Sequence, residues 1–473
     1  MLLAKNLCVS SKLRRQQTRV QRQLPMLKKI LIANRGAIAR RIVRACSELK
    51  IQSVVVYSPA DIQAPYIAEA TEAYPLTGNA SKDSYLDQDQ IMAIAHKCGA
   101  DGIHPGYGFM SENADFAQRI IDEGLIFIGP SPKWLEQMGD KVSARAMMSK
   151  LGMPVFPGSE LITHIAEAEA FAQREGFPLV VKPAGGGGGM GMQVVHEKAQ
   201  LAPALSQAKA IASKAFAASG VYLERWIEAP RHIEFQIMAD QQGNAIHLFE
   251  RECSVQRRHQ KLIEESPAPG IDSQAILQQA QASAEICAKL GYDNLGTVET
   301  LFTPSGEVGF LEMNTRIQVE HGVTEEVTGL DLVQLQITLA AGGSLPAQVQ
   351  CEGFAIEARL YAEDPETQFP STGTLTVFRP PKLFAVRVET GYQEGQTVSQ
   401  YYDPMLAKII AKGTTRAQAI GRLLIALKAF EVQGLRTNAS LLIQVLQDPA
   451  FLRGEIDTHI IQRIQNAKNA ANS

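Results

Sequence analysis

The sequence contains no C-x-x-C pair, and its six cysteines lie far apart along 473 residues. Without paired spacing they supply neither a zinc site nor a disulfide framework, so we expect reduced thiols in a cytoplasmic protein. An apolar run of the roughly 20 residues that a membrane helix needs is also absent. The formal net charge of −3 leaves no basic excess. We therefore expect neither a membrane nor a nucleic-acid partner, and a globular chain with a large core.

Acidic side chains are missing from the first 47 residues, and residues 1–25 carry several arginines and lysines. An organellar transit peptide has this composition. The same stretch would also arise from an upstream start codon, with Met26 as the true start. We favour the second interpretation because a strand-like run follows Met26 directly, while import of the extension stays open. In both cases we expect the fold to begin near residue 26.

Apolar runs at 28–34 and 53–58 flank a segment at 37–50 whose apolar residues recur at helical spacing. This strand–helix–strand order predicts a parallel sheet and the α/β class. The first turn has one glycine and lacks the G-x-G-x-x-G fingerprint of dinucleotide sites. A Pro/Gly turn with polar residues at 104–113 follows another short strand. Loops at such strand ends bind ligands in α/β sheets.

A run of five glycines begins at Gly185, within KPAGGGGGMGMQVV. It is not a typical linker, because strand-like residues lie on both sides. Residues 186–191 match G-x-G-x-x-G, but a strand-like segment follows where a Rossmann site needs a helix, and the Walker A ending is absent. What remains is a strand–loop–strand flap whose backbone amides can approach phosphates. Lys182, just before the loop, is placed to meet a phosphate.

Two acids and an amide form a second cluster. Glu299 and Glu312 lie in separate apolar strands, and Asn314 follows. Buried carboxylates need a partner, a proton or a metal, so facing strands would create an oxygen site suited to Mg²⁺. The alternative is that both acids are exposed. The basic run at 257–261 is by itself most often a solvated face, but beside a glycine flap and a metal site we favour an anion site.

Seven collinear segments carry a family resemblance: ILIANRGAIARRI, HPGYGFMSENADFA, MGDKVSAR, GGGGGMGM, RHIEFQ, ECSVQRRHQKLIEESPAPG and EMNTRIQVEHGVTE. They resemble the biotin carboxylases of the ATP-grasp superfamily, over about residues 26–462. The resemblance implies an α/β (α+β) fold of three domains. These would be a Rossmann-like N-terminal domain at 26–139, an ATP-grasp domain at 140–340 with its glycine-loop lid at about 155–228, and a C-terminal domain at 354–462.

The resemblance also implies roles for single residues. The residues matching the family's ATP site are Lys141, Lys182, Gly187, Gly188, Gly189, Met192, Glu224, Arg225, Trp226, Ile227, His232, Gln256 and His259. Those matching its metal ligands, for Mg²⁺ or Mn²⁺, are Glu299, Glu312 and Asn314. Those matching its bicarbonate pocket are Lys261, Arg316, Gln318 and Val319. Arg359 and Tyr107 match biotin-site positions, and Glu320 matches the general base. Arg41, Arg44 and Glu48 match the dimer contact of bacterial members.

The implied reaction begins when Glu320 takes a proton from bicarbonate. Bicarbonate then attacks the γ-phosphate of ATP, whose charge is spread over the metal, the lysines and the loop amides. Carboxyphosphate breaks to CO₂ and phosphate, and phosphate removes the N1′ proton of biotin. Arg359 holds the enolate oxygen while CO₂ adds to N1′. Arg316 and Lys261 complete the implied catalytic set.

The sequence has no Met-Lys-Met biotinylation site, so we expect the biotin carboxyl carrier protein and the carboxyltransferase to be other chains. Acetyl-CoA carboxylase is the leading assignment, and a propionyl-, methylcrotonyl- or urea-type complex is the alternative. Met190 stands where many acyl-CoA carboxylases have a cation. An apolar residue in this loop instead resembles the urea carboxylases. A different ATP-grasp ligase, or a nucleotide-binding regulatory homologue, are further alternatives, and the basic run argues against the first.

Overall fold

The computed structural model describes residues 27–185, 189–215 and 220–472. Its strands are β1 (Lys29–Ile32), β2 (Gln52–Tyr57), β3 (Glu72–Pro75), β4 (Gly102–His104), β5 (Ile126–Phe127), β6 (Leu179–Pro183), β7 (Gln193–Val195), β8 (Val221–Arg225), β9 (Arg231–Ala239), β10 (Ala245–Arg257), β11 (Gln260–Ser266), β12 (Asn294–Phe302), β13 (Val308–Asn314), β14 (Phe354–Tyr361), β15 (Gly373–Thr374), β16 (Val377–Arg379), β17 (Val386–Thr390), β18 (Thr397–Val398), β19 (Met405–Gly413) and β20 (Glu431–Gln433).

The helices alternate with these strands through most of the chain. They are α1 (Gly36–Leu49), α2 (Pro65–Glu69), α3 (Gln88–Cys98), α4 (Ala114–Asp122), α5 (Pro132–Gly139), α6 (Lys141–Lys150), α7 (Ile165–Glu175), α8 (Leu201–Ala215), α9 (Ser273–Leu290), α10 (His321–Thr328), α11 (Leu332–Ala340), α12 (Arg416–Ala429), α13 (Ala439–Gln447), α14 (Pro449–Arg453) and α15 (Ile460–Asn472). Within the described parts of the chain, none of these helices is long and apolar enough to cross a membrane.

The N-terminal unit is a parallel sheet of five strands in the order β3-β2-β1-β4-β5. Its first two strands are mostly buried apolar segments rich in Ile and Val, and α1 covers them with its apolar face. The predicted strand–helix–strand order is therefore confirmed. Loops after β1 and β4 meet at one edge, where the Asn34 amide donates to the carbonyls of Pro105 and Tyr107 at 2.6 and 2.8 Å.

The lid is a separate antiparallel sheet of three strands, with β6 between β7 and β8. Helices α7 and α8 pack on it, and together they bury a small apolar core of their own. Strands β6 and β7 pair directly, so the glycine-rich segment connects two neighbouring strands, as the sequence predicted. A strand–loop–strand flap, rather than a strand–loop–helix turn, is therefore confirmed on both of its described sides.

The largest sheet has eight antiparallel strands in the order β13-β12-β9-β10-β11-β14-β19-β17. Its first five strands belong to the ATP-grasp unit and its last three to the C-terminal unit. The pairing of β11 with β14 joins the two units into one continuous sheet. The same register places Glu234, Glu299 and Glu312 side by side on three adjacent strands.

Candidate active site

A cavity of about 1480 Å³ lies between the N-terminal loops, the lid and the large sheet. It is lined by every predicted substrate-site residue that the structure describes: Tyr107, Lys141, Lys182, Gly189, Met192, Glu224, Arg225, Trp226, Ile227, His232, Gln256, His259, Lys261, Glu299, Glu312, Asn314, Arg316, Gln318, Val319, Glu320 and Arg359. Gly187 and Gly188 lie outside the described residues. Residues separated by up to some 250 positions in sequence thus converge on one space.

Glu299 is the centre of the acidic row. Its Oε1 accepts hydrogen bonds from Lys261 Nζ at 3.0 Å, from Asn314 Nδ2 at 2.9 Å and from Gln318 Nε2 at 3.1 Å. His232 Nε2 lies 3.0 Å from its other oxygen. Burial opposes ionisation, but Lys261 and His232 hold the pKa of Glu299 well below its usual range. The carboxylate is therefore ionised and ready to hold a cation.

The residues present fit a hard divalent cation. Glu299 and Glu312 are direct cross-strand partners, and their oxygens are ligands that Mg²⁺ prefers. Lys141 forms an ion pair with Glu312, so a cation must replace the lysine there. Asn314 donates its amide nitrogen to Glu299, while its Oδ1 accepts from Arg316 at 2.8 Å. Ligation through Oδ1 would therefore require the amide to leave Arg316.

The lid side of the cavity carries the predicted phosphate cations. Lys182 is buried in β6 and forms an ion pair with Glu224 in β8, which also pairs with Arg145 from α6. Lys141 begins α6, where burial and the nearby charge of Lys182 lower the pKa of its ammonium to about 8. Glu224, predicted to lie at the hinge, is thus held by two cations rather than open to solvent.

Gly189 ties the lid loop to the basic turn between β10 and β11. Its φ is +69°, and a Cβ there would lie 2.4 Å from Cδ2 of His259. The turn consists of Arg258 and His259, which both adopt left-handed conformations, with φ of 51° and 65°. Such a conformation is costly for residues other than glycine and often marks a functional site. The glycine therefore permits close contact of loop and turn over the cavity.

The predicted bicarbonate residues lie beside the acidic row, where Lys261 and Gln318 contact Glu299. Arg316 donates from Nε to Glu112 at 2.9 Å and from Nη1 to Gln318 Oε1 at 2.7 Å. Glu320 accepts from Lys261 Nζ at 2.7 Å and from Arg359 Nη2 at 2.9 Å. Burial alone would raise the pKa of Glu320, but Lys261 and Arg359 lower it far below its usual range.

Five basic side chains of the predicted site each form an ion pair with one or more carboxylates. Lys141 pairs with Glu312, Lys182 with Glu224, Lys261 with Glu234, Glu299 and Glu320, Arg316 with Glu112, and Arg359 with Glu264 and Glu320. Sequence reasoning missed the roles of Glu234, Glu112, Glu264 and Arg145. Strand alternation could have found Glu234, because it stands two residues after His232 on the same face of β9.

The predicted dimer residues lie at a second cavity of about 470 Å³, near α1, α10 and β17. Arg44 and Glu48 are exposed there. Arg41 is buried and pairs within the chain, at 2.8 Å with Glu325 and 2.6 Å with Asp331. Its charge is therefore satisfied before a second copy is present.

A glycine lid over a large antiparallel sheet, with lysines and paired acids between them, defines an ATP-grasp enzyme. Three family profiles match: "Biotin carboxylase, N-terminal domain" at residues 26–135, "Carbamoyl-phosphate synthase L chain, ATP binding domain" at 140–348 and "Biotin carboxylase C-terminal domain" at 357–463. The middle profile carries the name of another ligase, but the flanking two are named for biotin carboxylases. The chain belongs to the biotin carboxylase family.

Individual relatives match over 93% of the chain. Biotin carboxylase 2 of Bacillus subtilis is 47% identical over 93% of this chain and 100% of its own. A biotin carboxylase from Campylobacter jejuni, solved as a β,γ-ATP complex, has a TM-score of 0.91 at 38% identity, over 93% of this chain and 99% of its own. A third relative is the biotin carboxylase domain dimer of Hydrogenobacter thermophilus 2-oxoglutarate carboxylase, solved with MgADP, ADP and bicarbonate. It has a TM-score of 0.90 at 39% identity, over 93% of this chain and 98% of its own.

Proposed function

We propose that this chain supplies the first half-reaction of acetyl-CoA carboxylase, for fatty acid biosynthesis in the cytoplasm. The chain is an ATP-dependent enzyme that carboxylates biotin with bicarbonate. It uses ATP, Mg²⁺ and bicarbonate, and the biotin is attached to a carrier protein. The choice of acetyl-CoA is the proposed part of this assignment; it is supported by the likeness to proteins named biotin carboxylase, such as that of Bacillus subtilis, and it is tested by the acceptor assay below.

The arrangement around Glu320 carries the assignment of the reacting centre. Lys261 and Arg359 contact its two carboxylate oxygens, and Lys261 also contacts Glu299 in the acidic row. The proposed base, Lys261, Arg359 and the proposed metal ligand Glu299 therefore share one hydrogen-bonded group. Mg²⁺ held by Glu299 and Glu312 would supply charge neutralisation for the phosphates.

Glu320 can become a stronger base when substrates bind. With its cations in place its pKa is low, and a carboxylate of low pKa accepts a proton poorly. Bicarbonate and the nucleotide phosphates compete with Glu320 for Lys261 and Arg359. When either cation turns away from Glu320, less positive charge remains to oppose the rise in pKa that burial causes. The pKa of Glu320 then rises, so proton transfer from bicarbonate is favoured only in the loaded site.

The later steps use residues on the same wall. Bicarbonate oxygen attacks the γ-phosphorus, and the leaving ADP oxygen is stabilised by the site's cations. Carboxyphosphate separates into CO₂ and phosphate, and phosphate takes the N1′ proton of biotin. Arg359 then holds the ureido oxygen as CO₂ adds to N1′, and Tyr107, held by the Asn34 contact, lines the biotin end.

The proposed site is tested by Lys261→Ala and Glu320→Ala. Each should abolish bicarbonate-dependent ATP cleavage while leaving nucleotide binding in place, because the ATP cations Lys141 and Lys182 are untouched. Lys198→Ala, in a lid lysine that is 71% exposed, is the matched control and should retain full turnover. Phosphate release and nucleotide titration measure the two effects. Near-normal turnover in both site variants would overturn the assignment.

The partners follow from the same proposal. We expect a biotin carboxyl carrier protein, a carboxyltransferase chain and a second copy of this chain at the Arg44–Glu48 face. Chains captured with the protein, mixed with acetyl-, propionyl- and methylcrotonyl-CoA or with urea, should transfer carboxyl groups to acetyl-CoA. Transfer to another acceptor instead would place the chain in the alternative complex without affecting the biotin half-reaction.

A further inference from the structure

Lys408 is a buried lysine in β19, where it stands within the mostly apolar sequence MLAKIIAKG. Its side chain is 1% exposed, and a buried ammonium is costly unless it has partners. Two carboxylates lie near: Lys408 Nζ is 3.0 Å from Glu389 Oε2 and 3.6 Å from Glu357 Oε2. Glu389 is its direct cross-strand neighbour on β17, so the sheet register holds this ion pair.

The ammonium of Lys408 also donates a hydrogen bond to the backbone carbonyl of Val319. That carbonyl belongs to the planar peptide unit that joins Val319 to Glu320, so the contact fixes the plane from which the Glu320 side chain extends. We call residues 318–320 the bicarbonate turn. The turn is held at a second point by His321, whose Nδ1 donates to the Gln318 carbonyl at 2.8 Å.

The helix that follows the bicarbonate turn lies unusually close to β19. Gly322 in α10 faces Ile410, and a Cβ on Gly322 would lie 2.4 Å from Ile410 Cδ1. Lys408 and Ile410 are two residues apart and therefore lie on the same face of β19. The close approach of α10 to Ile410 thus also brings the bicarbonate turn within reach of Lys408. Arg359 is the cross-strand partner of Lys408 on β14, and it contacts Glu320 directly.

We propose that Lys408 is a positioning residue for the reaction, which holds the bicarbonate turn through the Val319 carbonyl and is itself held by Glu389. It lies behind the cavity wall and acts through the backbone of Val319 and Glu320. If the bicarbonate turn were not held in this way, both the Val319 part of the bicarbonate pocket and the carboxylate of Glu320 would move out of position. The inference rests on the proposed function, because it gives Lys408 a role only if this turn binds bicarbonate.

The test compares two lysines of the same strand. Lys412 lies four residues further on the same face of β19 and donates to the Glu326 carbonyl, at the far end of α10. Lys408→Met should raise the Michaelis constant for bicarbonate about tenfold or more, the size expected when a charged hydrogen bond that orders the site is removed. The Michaelis constant for ATP should not change. Lys412→Met should leave both constants as in the wild type.

A second variant distinguishes a loss of protein stability from a loss of the contact that positions the bicarbonate turn. Lys408→Gln keeps a polar group for the buried carboxylates, but its amide nitrogen stands one bond short of the ammonium and leaves the Val319 carbonyl without its donor. It should show the same bicarbonate-specific rise, and thermal unfolding of each variant identifies any that is misfolded. If Lys408→Met fails to fold, Lys408→Gln decides.

An unchanged bicarbonate constant in the folded Lys408 variants, or an equal rise in Lys412→Met, would overturn the inference. An equal rise for ATP and bicarbonate would also overturn it, because that pattern indicates general loosening. Wild-type protein without bicarbonate-dependent ATP cleavage would instead contradict the proposed function, and the role of Lys408 would fall with it.

Discussion

Met190 is a single residue of the lid loop whose side chain is 56% exposed. It stands where a phosphate-binding loop often carries a cation, so Met190→Arg should lower the Michaelis constant for ATP. The gain should be at most about tenfold, because one partly exposed charged hydrogen bond contributes about 1–2 kcal/mol. Met190→Leu, which changes shape without adding charge, is the control. Equal constants for the two variants would mean that the missing cation has little effect here.

His104, at the end of β4, offers a test of stability against pH. Burial, together with the charge of Arg41, lowers the pKa of its ring from 6.5 to about 3, and the ring accepts a hydrogen bond from Gly106 N at 3.0 Å. Below pH 6.5 the unfolded chain therefore binds a proton that the folded chain does not, and the stability that His104 contributes is lost as pH falls.

His104→Asn keeps an acceptor for Gly106 but removes the titration. Relative to the wild type, the variant should gain about 1.4 kcal/mol of unfolding free energy per pH unit of acidification below 6.5. Thermal midpoints of both proteins measured from pH 7 to pH 4.5 follow the difference. A difference that stays constant across this range would show that His104 titrates normally in the folded chain.

Single residues were predicted unevenly from the sequence. Lys261 and Glu320 stand in long motifs whose residue types match the chemistry, and the structure brings them into contact. Lys408 gave no such signal, because a lysine in an apolar strand is usually one whose head reaches solvent. Its burial depends on how β17, β19 and α10 come together, and that arrangement is set by contacts distant in sequence.

At the scale of elements, helix α10 lies against β19 through Gly322. Gly322→Ala should force the helix away from Ile410 and so move the bicarbonate turn, raising the Michaelis constant for bicarbonate and costing about 1–3 kcal/mol of stability. Ile410→Val removes the Cδ1 methyl that the new Cβ would meet, so the double variant should recover much of both losses. Kinetics and thermal unfolding measure the two.

Gly421→Ala is the matched control, because Gly421 lies inside α12 and a Cβ there meets nothing within 4 Å. It should stabilise the protein slightly through helix propensity, with unchanged kinetics. A Gly322→Ala protein that behaves like Gly421→Ala would show that α10 can shift without disturbing the turn.

Elements that depend on local sequence could be predicted well. Strands β1 and β2 form at two continuous apolar runs and helix α1 at the segment of helical spacing between them, and the glycine loop joins paired strands as expected. The order and register of the eight-stranded sheet could not be predicted in this way, since they pair strands far apart in the chain. The left-handed turn at Arg258 and His259 was also missed, because the sequence there has no glycine, the residue that usually marks such a turn.

At the scale of the whole molecule, the β11–β14 pairing makes the ATP-grasp and C-terminal units share a sheet, while the lid has a sheet of its own. Amides of β11 and β14 should therefore exchange hydrogen together and slowly, and those of β6 and β8 faster. Exchange followed by mass spectrometry in the absence of nucleotide measures this. A slower lid, or separate protection of β11 and β14, would contradict the expectation.

The carboxylate partners of the site's basic side chains have a consequence for selectivity. A small anion such as inorganic phosphate or sulfate, arriving alone, must break an ion pair at each of the five paired cations that it binds, and it leaves the carboxylate there without its countercharge. A nucleotide that arrives with its own divalent ion brings a countercharge for those carboxylates at the same moment. The cavity can therefore favour an anion that carries its own divalent cation over one that does not, even in a cell where free phosphate is abundant.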